Sequence, residues 1–192
     1  MVRAPEQLAP VNRAVQDAPR RGINTKGGAM RSLADAIRRG GMVVVTSSSI
    51  STNGLGEFNG WFRVLDAAGL SAVALGEVVA AALDEGERHF GFGRPPLSPD
   101  CPDLLTPVYA AVGVSGERDF ARGAVAVSFD RVDGVLYVQP MLSDERRGGG
   151  FVAHGGEVAY PSMPSTADLG QLTKASWDGS GLPDLRIDDA HT

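Results

Sequence analysis

The sequence predicts an α+β fold: two weakly repeated β-β-α units forming a mixed or antiparallel sheet, with helices packed on it. Residues 73–83 carry the clearest helical pattern, with Leu75, Val78, Val79, Ala82 and Leu83 at i, i+3, i+4, i+7 and i+8. Residues 124–129 and 135–139 are β-rich and flank Asp133-Gly134, a strong hairpin signal. A short match also recurs at an offset of 94 residues. Leu75-Gly76-Glu77-Val78 aligns with Leu169-Gly170-Gln171-Leu172, so units can be drawn at 42–86 and 124–180. Glycine costs a helix interior about 1 kcal/mol relative to alanine. Gly76 and Gly170 therefore make sense where another backbone comes close.

In chain order, residues 1–30 read as a disordered or peripheral arm, with Pro5, Pro10, Pro19, Gly22, Gly27 and Gly28 and few large apolar residues. Residues 31–180 form a single domain, and 181–192 an acidic tail. Residues 31–39 place Leu33, Ala34, Ala36 and Ile37 at helix-like spacing before Gly40-Gly41, which predicts a short helix. Residues 42–46 are a β-branched apolar run, hence a buried strand. Residues 47–60 are polar and Gly-rich, hence a loop or wide turn, and 61–65 a second strand. Ser71 caps the helix that follows and Gly86 ends it. Residues 91–107, with five prolines and Cys101, form a long connector. Residues 108–114 suit either a strand or a helix. Residues 143–156 are polar and expected to be mobile, 157–160 to be a last strand, and 166–177 a final helix with Asp168 favourable to its dipole. The expected core is Val43, Val45, Leu75, Val78, Val79, Val125, Val127, Val135, Tyr137 and Leu169.

Composition narrows the function. The 192 residues hold 18 Lys+Arg and 23 Asp+Glu, a formal net charge of −5. Residues 1–40 carry a net +5 and residues 41–192 a net −10. An acidic body disfavours nucleic-acid binding, which needs Lys and Arg on phosphates, and it suits a basic protein partner. One cysteine allows no intrachain disulfide and no ordinary structural zinc site. The longest apolar runs are far shorter than the ~20 residues of a membrane span, and no signal-peptide core follows Met1. The expectation is a cytoplasmic protein with no membrane partner, no metal and no cofactor.

Catalytic patterns are sparse. Gly54-Leu55-Gly56 lacks the third glycine of a dinucleotide fingerprint, because position 59 is Asn59. No phosphate-binding Gly-Lys-Ser/Thr loop, nucleophile elbow or HExxH helix is present. Cys101 lies between Asp100 and Pro102 with Asp103 beyond, and nearby acids disfavour the thiolate. A loop from Ser47 to Asn53 could cradle an anion with its backbone N–H groups, and with His89 or His154 it supplies the alternative reading, a small hydrolase or transferase. Asp84, Glu85 and Glu87 cluster at the expected end of the first helix, where the dipole disfavours acid. That local conflict marks them as candidate contact residues.

The layout resembles the immunity proteins of bacterial contact-dependent growth inhibition systems. The stretches that carry the resemblance are 43–48, 74–84, 119–140 and 167–178, and the hairpin around Asp133-Gly134, ending in Gln139-Pro140, is its best part. The Ser-Arg that tends to follow the first helix in that family is here Glu85-Gly86-Glu87-Arg88. The resemblance implies a non-enzymatic protein that binds and neutralises the toxic C-terminal domain of a delivered effector. That domain would be a basic protein, such as a nuclease. No contact residue transfers by motif, so Asp84, Glu85 and Glu87 rest on local electrostatics alone.

Overall fold

The central strand of the sheet is the segment whose spacing predicts a helix. In the computed structural model, which describes residues 30–51, 56–89, 104–144 and 150–179, β1 (Arg31–Arg39) is fully paired on both sides. The helical expectation fails for a physical reason. Ala34 and Ala36 are buried under one layer of helices; on the other face Ile37 lies under the second layer, while Leu33 and Asp35 stay partly exposed. The adjacent apolar pairs Leu33-Ala34 and Ala36-Ile37 break the apolar/polar alternation of a strand and mimic helical spacing.

A tight turn at Gly40-Gly41, with Gly40 at φ 58°, leads into β2 (Met42–Ile50). Next comes β3 (Gly56–Asp66), with a bulge in the β2–β3 register between Thr46 and Ser48. The predicted loop over 47–60 is thus strand at both ends, and only 52–55 lie outside the described residues. β4 (Val125–Val132) and β5 (Val135–Ser143) form the expected hairpin, with Asp133 at φ 48° and Gly134 at φ 86°. Positive φ at both central residues is the type I′ signature. The short strands β6 (Phe151–Ala153) and β7 (Val158–Tyr160) both pair with β5. Within the stretch expected to be mobile, 143–156, residues 151–153 are instead held as β6 by backbone pairing to Met141, Leu142 and Ser143, and 145–149 lie outside the described residues. The sheet order is β3-β2-β1-β4-β5-β6, antiparallel at every pairing.

Two helices lie on one face. α1 (Ala72–Arg88) starts at Ser71, whose Oγ accepts from the Ala74 N–H at 3.1 Å. α4 (Thr166–Trp177) starts at Ser165, whose Oγ accepts from the Asp168 N–H at 3.2 Å. They cross at their glycines. A Cβ on Gly76 would lie 1.8 Å from the Thr166 carbonyl oxygen, and one on Gly170 would lie 1.8 Å from the Ala72 carbonyl oxygen. Each glycine therefore faces the carbonyl four residues before its counterpart; the close backbone approach was expected from the sequence, the reciprocal pairing of the two helices was not. The β-β-α order does recur, but β1 sits between the units. β2 and β4 each run antiparallel to β1 and so parallel to each other. With both helices on one face, no two-fold rotation relates the units.

Gly86 does not stop α1. The helix continues to Arg88, and Gly86 lies against the sheet, where an added Cβ would meet the Ser48 carbonyl oxygen at 2.8 Å and Ser32 Cβ at 2.9 Å. Beneath these helices Val43, Val45, Leu75, Val79, Leu83, Val127, Phe129, Leu136, Val138, Leu169 and Leu172 form the main core. Val78 and Val125 are partly buried at its margin, as is the edge residue Trp61. In β5 the core residues are Leu136 and Val138 rather than the expected Val135 and Tyr137, because the hairpin register turns the even positions toward α1 and α4.

The other face carries two short helices, α2 (Thr106–Ala111) and α3 (Glu117–Ala121). Residues 108–114 thus open as helix, not strand. Val108, Tyr109, Val112 and Phe120 pack there on Ile37, Val44 and Ala126.

Candidate functional site

Two surfaces combine charge with a defined geometry: the C-terminal end of α1, and the part of the second sheet face next to the α2–α3 cluster.

At the end of α1, the predicted contact residues divide into two groups. Asp84 and Glu87 both turn to Arg131 of β4, with Asp84 Oδ1 3.0 Å from Nη2 and Glu87 Oε1 2.8 Å from Nε. Glu85 turns away from them. It takes a hydrogen bond from Arg88 Nη1 at 2.6 Å and lies 2.9 Å from His89 Nε2. The acids that local electrostatics would not choose are thus met by cations from β4 and from the same helix. The Arg131 side chain is 12% exposed, Glu87 30% and Asp84 57%. Asp84 is the member of the cluster most open to a partner. Arg131, which sequence reasoning passed over, holds the cluster together; it lies one residue after Asp130 in a strand pattern that gives no hint of its partners.

The second surface is a row across four strands and the edge of a fifth. Phe62 of β3 pairs with Thr46 of β2, Thr46 with Asp35 of β1, Asp35 with Ser128 of β4, and Ser128 with Gln139 of β5. Cross-strand partners project to the same face, so these side chains stand in line about 4.8 Å apart. One step along the strands, the row Val64, Val44, Ile37, Ala126 and Met141 is entirely apolar and is covered by α2 and α3. Asp35, Ser128 and Gln139 remain half-buried. Burial pushes the Asp35 carboxyl above its ordinary value, and a hydrogen bond with Ser128 opposes the shift. Asp35 makes no ion pair among the described residues. The two cations on its strand and face, Arg31 and Arg39, each stand four residues away and turn to other acids: Arg31 to Asp130 through Nε contacts of 2.8 and 3.0 Å, and Arg39 to Asp119 at 3.5 Å. The first pairing raises the Arg31 guanidinium further above its already high value, chiefly through the Asp130 hydrogen bond. Sequence reasoning missed Asp35 because it was assigned to a helix. The available signal was a lone acid inside Leu33-Ala34-Asp35-Ala36-Ile37.

The alternative site is absorbed into the framework. Ser47 Oγ donates to the Ala82 carbonyl at 2.7 Å, and Asn59 Nδ2 donates to Ser47 Oγ at 2.8 Å and Ser49 Oγ at 2.9 Å. These bonds stitch β2 to α1 and β3, which is why polar residues there continue the strand. Asn53 and Cys101 lie outside the described residues. His154 is exposed in the connector after β6, where its backbone N–H donates to the Pro140 carbonyl at 2.8 Å. A cleft of about 290 Å³ beside α2 and α3 is bordered by Tyr109, Ser115 and Glu117 and includes no histidine or lysine. Among the described residues no group of three His, Cys, Asp or Glu could hold a metal ion, and no helix is long and apolar enough to cross a membrane.

No protein-family model matches the chain, and no curated protein matches it at a significant level. Solved structures do resemble its fold. One is a protein of unknown function, NMB0488, from Neisseria meningitidis, 15% identical over 81% of this chain and 98% of that one, with a TM-score of 0.58. Another is a chain of the CdiA-CT/CdiI toxin and immunity complex from Yersinia pseudotuberculosis, 15% identical over 73% of this chain and 92% of that one, with a TM-score of 0.52. At this identity the likeness is one of fold.

Proposed function

We propose that this chain is an immunity-type binding protein that neutralises the toxic C-terminal domain of a contact-dependent growth inhibition effector. The observation that carries the reading is the likeness in fold to a chain of a CdiA-CT/CdiI toxin and immunity complex, which spans nearly all of that chain. The order of elements in the sequence pointed to the same family independently. The net charge of −5 supports a basic partner, and so a toxin that acts on a polyanion such as nucleic acid. In this reading the protein works in the cytoplasm of the cell that makes it, by covering the toxin rather than by turnover. The acids at the end of α1 form part of the proposed contact surface, with Asp84 foremost.

The test is co-expression of the full chain with the toxin domain encoded beside it, scored by growth. Protection, together with a one-to-one complex of the purified proteins, is the expected result. An expressed, folded chain that neither protects nor binds would overturn the reading. Steering by opposite charge further predicts that added salt lowers the on-rate more than it raises the off-rate. Asp84→Asn combined with Glu85→Gln and Glu87→Gln should slow association. An unchanged on-rate in that variant would remove the cluster from the interface.

A further inference from the structure

We propose that the polar row Thr46–Asp35–Ser128–Gln139 is a recognition site for an arginine side chain presented by a partner protein. The inference rests on the immunity reading only for the kind of partner.

Polar side chains at the centre of a sheet lose water, and a carboxylate without a cation loses most. Asp35 stands on the central strand, two strands in from β3 and three from β6, beside an entirely apolar row. The same face shows how the chain treats an acid that it neutralises itself. Asp130, diagonal to Asp35, has both carboxylate oxygens occupied by Arg31. Asp35 has only the Ser128 hydroxyl. As a residue it nonetheless keeps part of its surface exposed.

The chemistry of the row selects the occupant. Gln139, the register partner of Ser128, spends its amide nitrogen on the carbonyls of Pro140 at 3.1 Å and His154 at 3.4 Å, so its oxygen is the group left to accept. A carboxylate, a hydroxyl and an amide thus occupy neighbouring register positions at strand spacing. A guanidinium offers five N–H donors in a flat fork and can serve several acceptors at once, whereas an ammonium is a compact point charge.

The experiment uses the full chain and a defined probe, the peptide acetyl-Gly-Arg-Gly-amide, followed by NMR shifts at the Asp35 carboxyl carbon, Ser128 and Gln139. Saturable shifts at these three positions are expected. The same peptide with uncharged citrulline in place of arginine should not produce them. Asp35→Asn should weaken the arginine peptide at least about tenfold, while Glu77→Gln, at an exposed acid on α1, should leave its affinity unchanged. Ser128→Ala keeps the carboxylate and should weaken binding several-fold; it serves as the second variant if Asp35→Asn does not fold. Equal affinity in wild type and either variant, or shifts confined to the end of α1, would overturn the site. Because the probe is not the toxin, a lost site with intact growth protection leaves the immunity reading standing. An intact site without protection removes that reading and keeps the site.

Discussion

Under α1 and α4 the sheet presents Ala34, Ala36, Val43, Val45, Val127 and Phe129, and the helices press on one another at Gly76 and Gly170 with no room for a methyl group. On the opposite face two helices of five and six residues cover one end of the sheet, and a line of polar side chains follows. The first face has the features of a stability element: long amphipathic helices, aliphatic contacts and backbone-to-backbone approach. The second leaves hydrogen-bonding groups near the surface, where changes should alter recognition more than folding. The contrast teaches that the two layers of helices are not equivalent, although both lie on apolar residues of the same strands.

The comparison breaks first at the glycines. Gly170→Val should cost about 5 kcal/mol or more, because its Cβ would overlap the Ala72 carbonyl and α4 must shift as a body. Urea unfolding that shows a loss below about 1 kcal/mol would mean that the helices are free to separate. Next come matched truncations. Phe129→Ala, in the fully buried core, should cost about 3–5 kcal/mol. Phe120→Ala, in the short helix α3, should cost at least about 1 kcal/mol less, since a short helix can settle into the space. Equal losses would make the two layers energetically alike.

The polar row gives a smaller effect with a definite sign. Burial raises the Asp35 carboxyl above its ordinary 3.8 in the folded state. The folded protein then holds that proton more readily than the unfolded chain does. Its contribution to stability is greatest below 3.8 and declines as pH rises through the raised value. Asp35→Asn removes this slope, so the variant should gain on wild type between pH 3 and pH 7 in urea unfolding. A variant that loses ground over that range would show that a cation within the protein already serves the carboxylate. The smallest effect is expected at the end of α1. Asp84→Asn with Glu87→Gln should change stability by less than about 1 kcal/mol, because ion pairs at the surface are screened. A loss of several kcal/mol, measured the same way, would make Arg131 a buried anchor rather than part of a contact surface.

Sequence pattern alone determined the elements whose signals are local. The Asp133-Gly134 turn, the cap Ser71, and the helical spacing of Leu75, Val79 and Leu83 depend on near neighbours in the chain, and they appear where chain-local chemistry puts them. The two Leu-Gly steps were also legible, since glycine in a helix interior has few reasons other than close approach. Tertiary structure decided whatever depends on which face is covered. Arg31–Arg39 became a strand because two antiparallel neighbours pair with it and helices bury its Ala34-Ala36 face, and no local pattern records that pairing. Gly86 became a contact with Ser32 and Ser48 instead of a helix end. In Val135-Leu136-Tyr137-Val138 both parities are apolar, so only pairing to β4 could turn Leu136 and Val138 inward. Asp35, Ser128 and Gln139 are more than ninety residues apart at their widest in the chain and meet only through strand register. A site assembled across strands is decided by hydrogen-bonded pairing at long range, which spacing within any one segment does not encode.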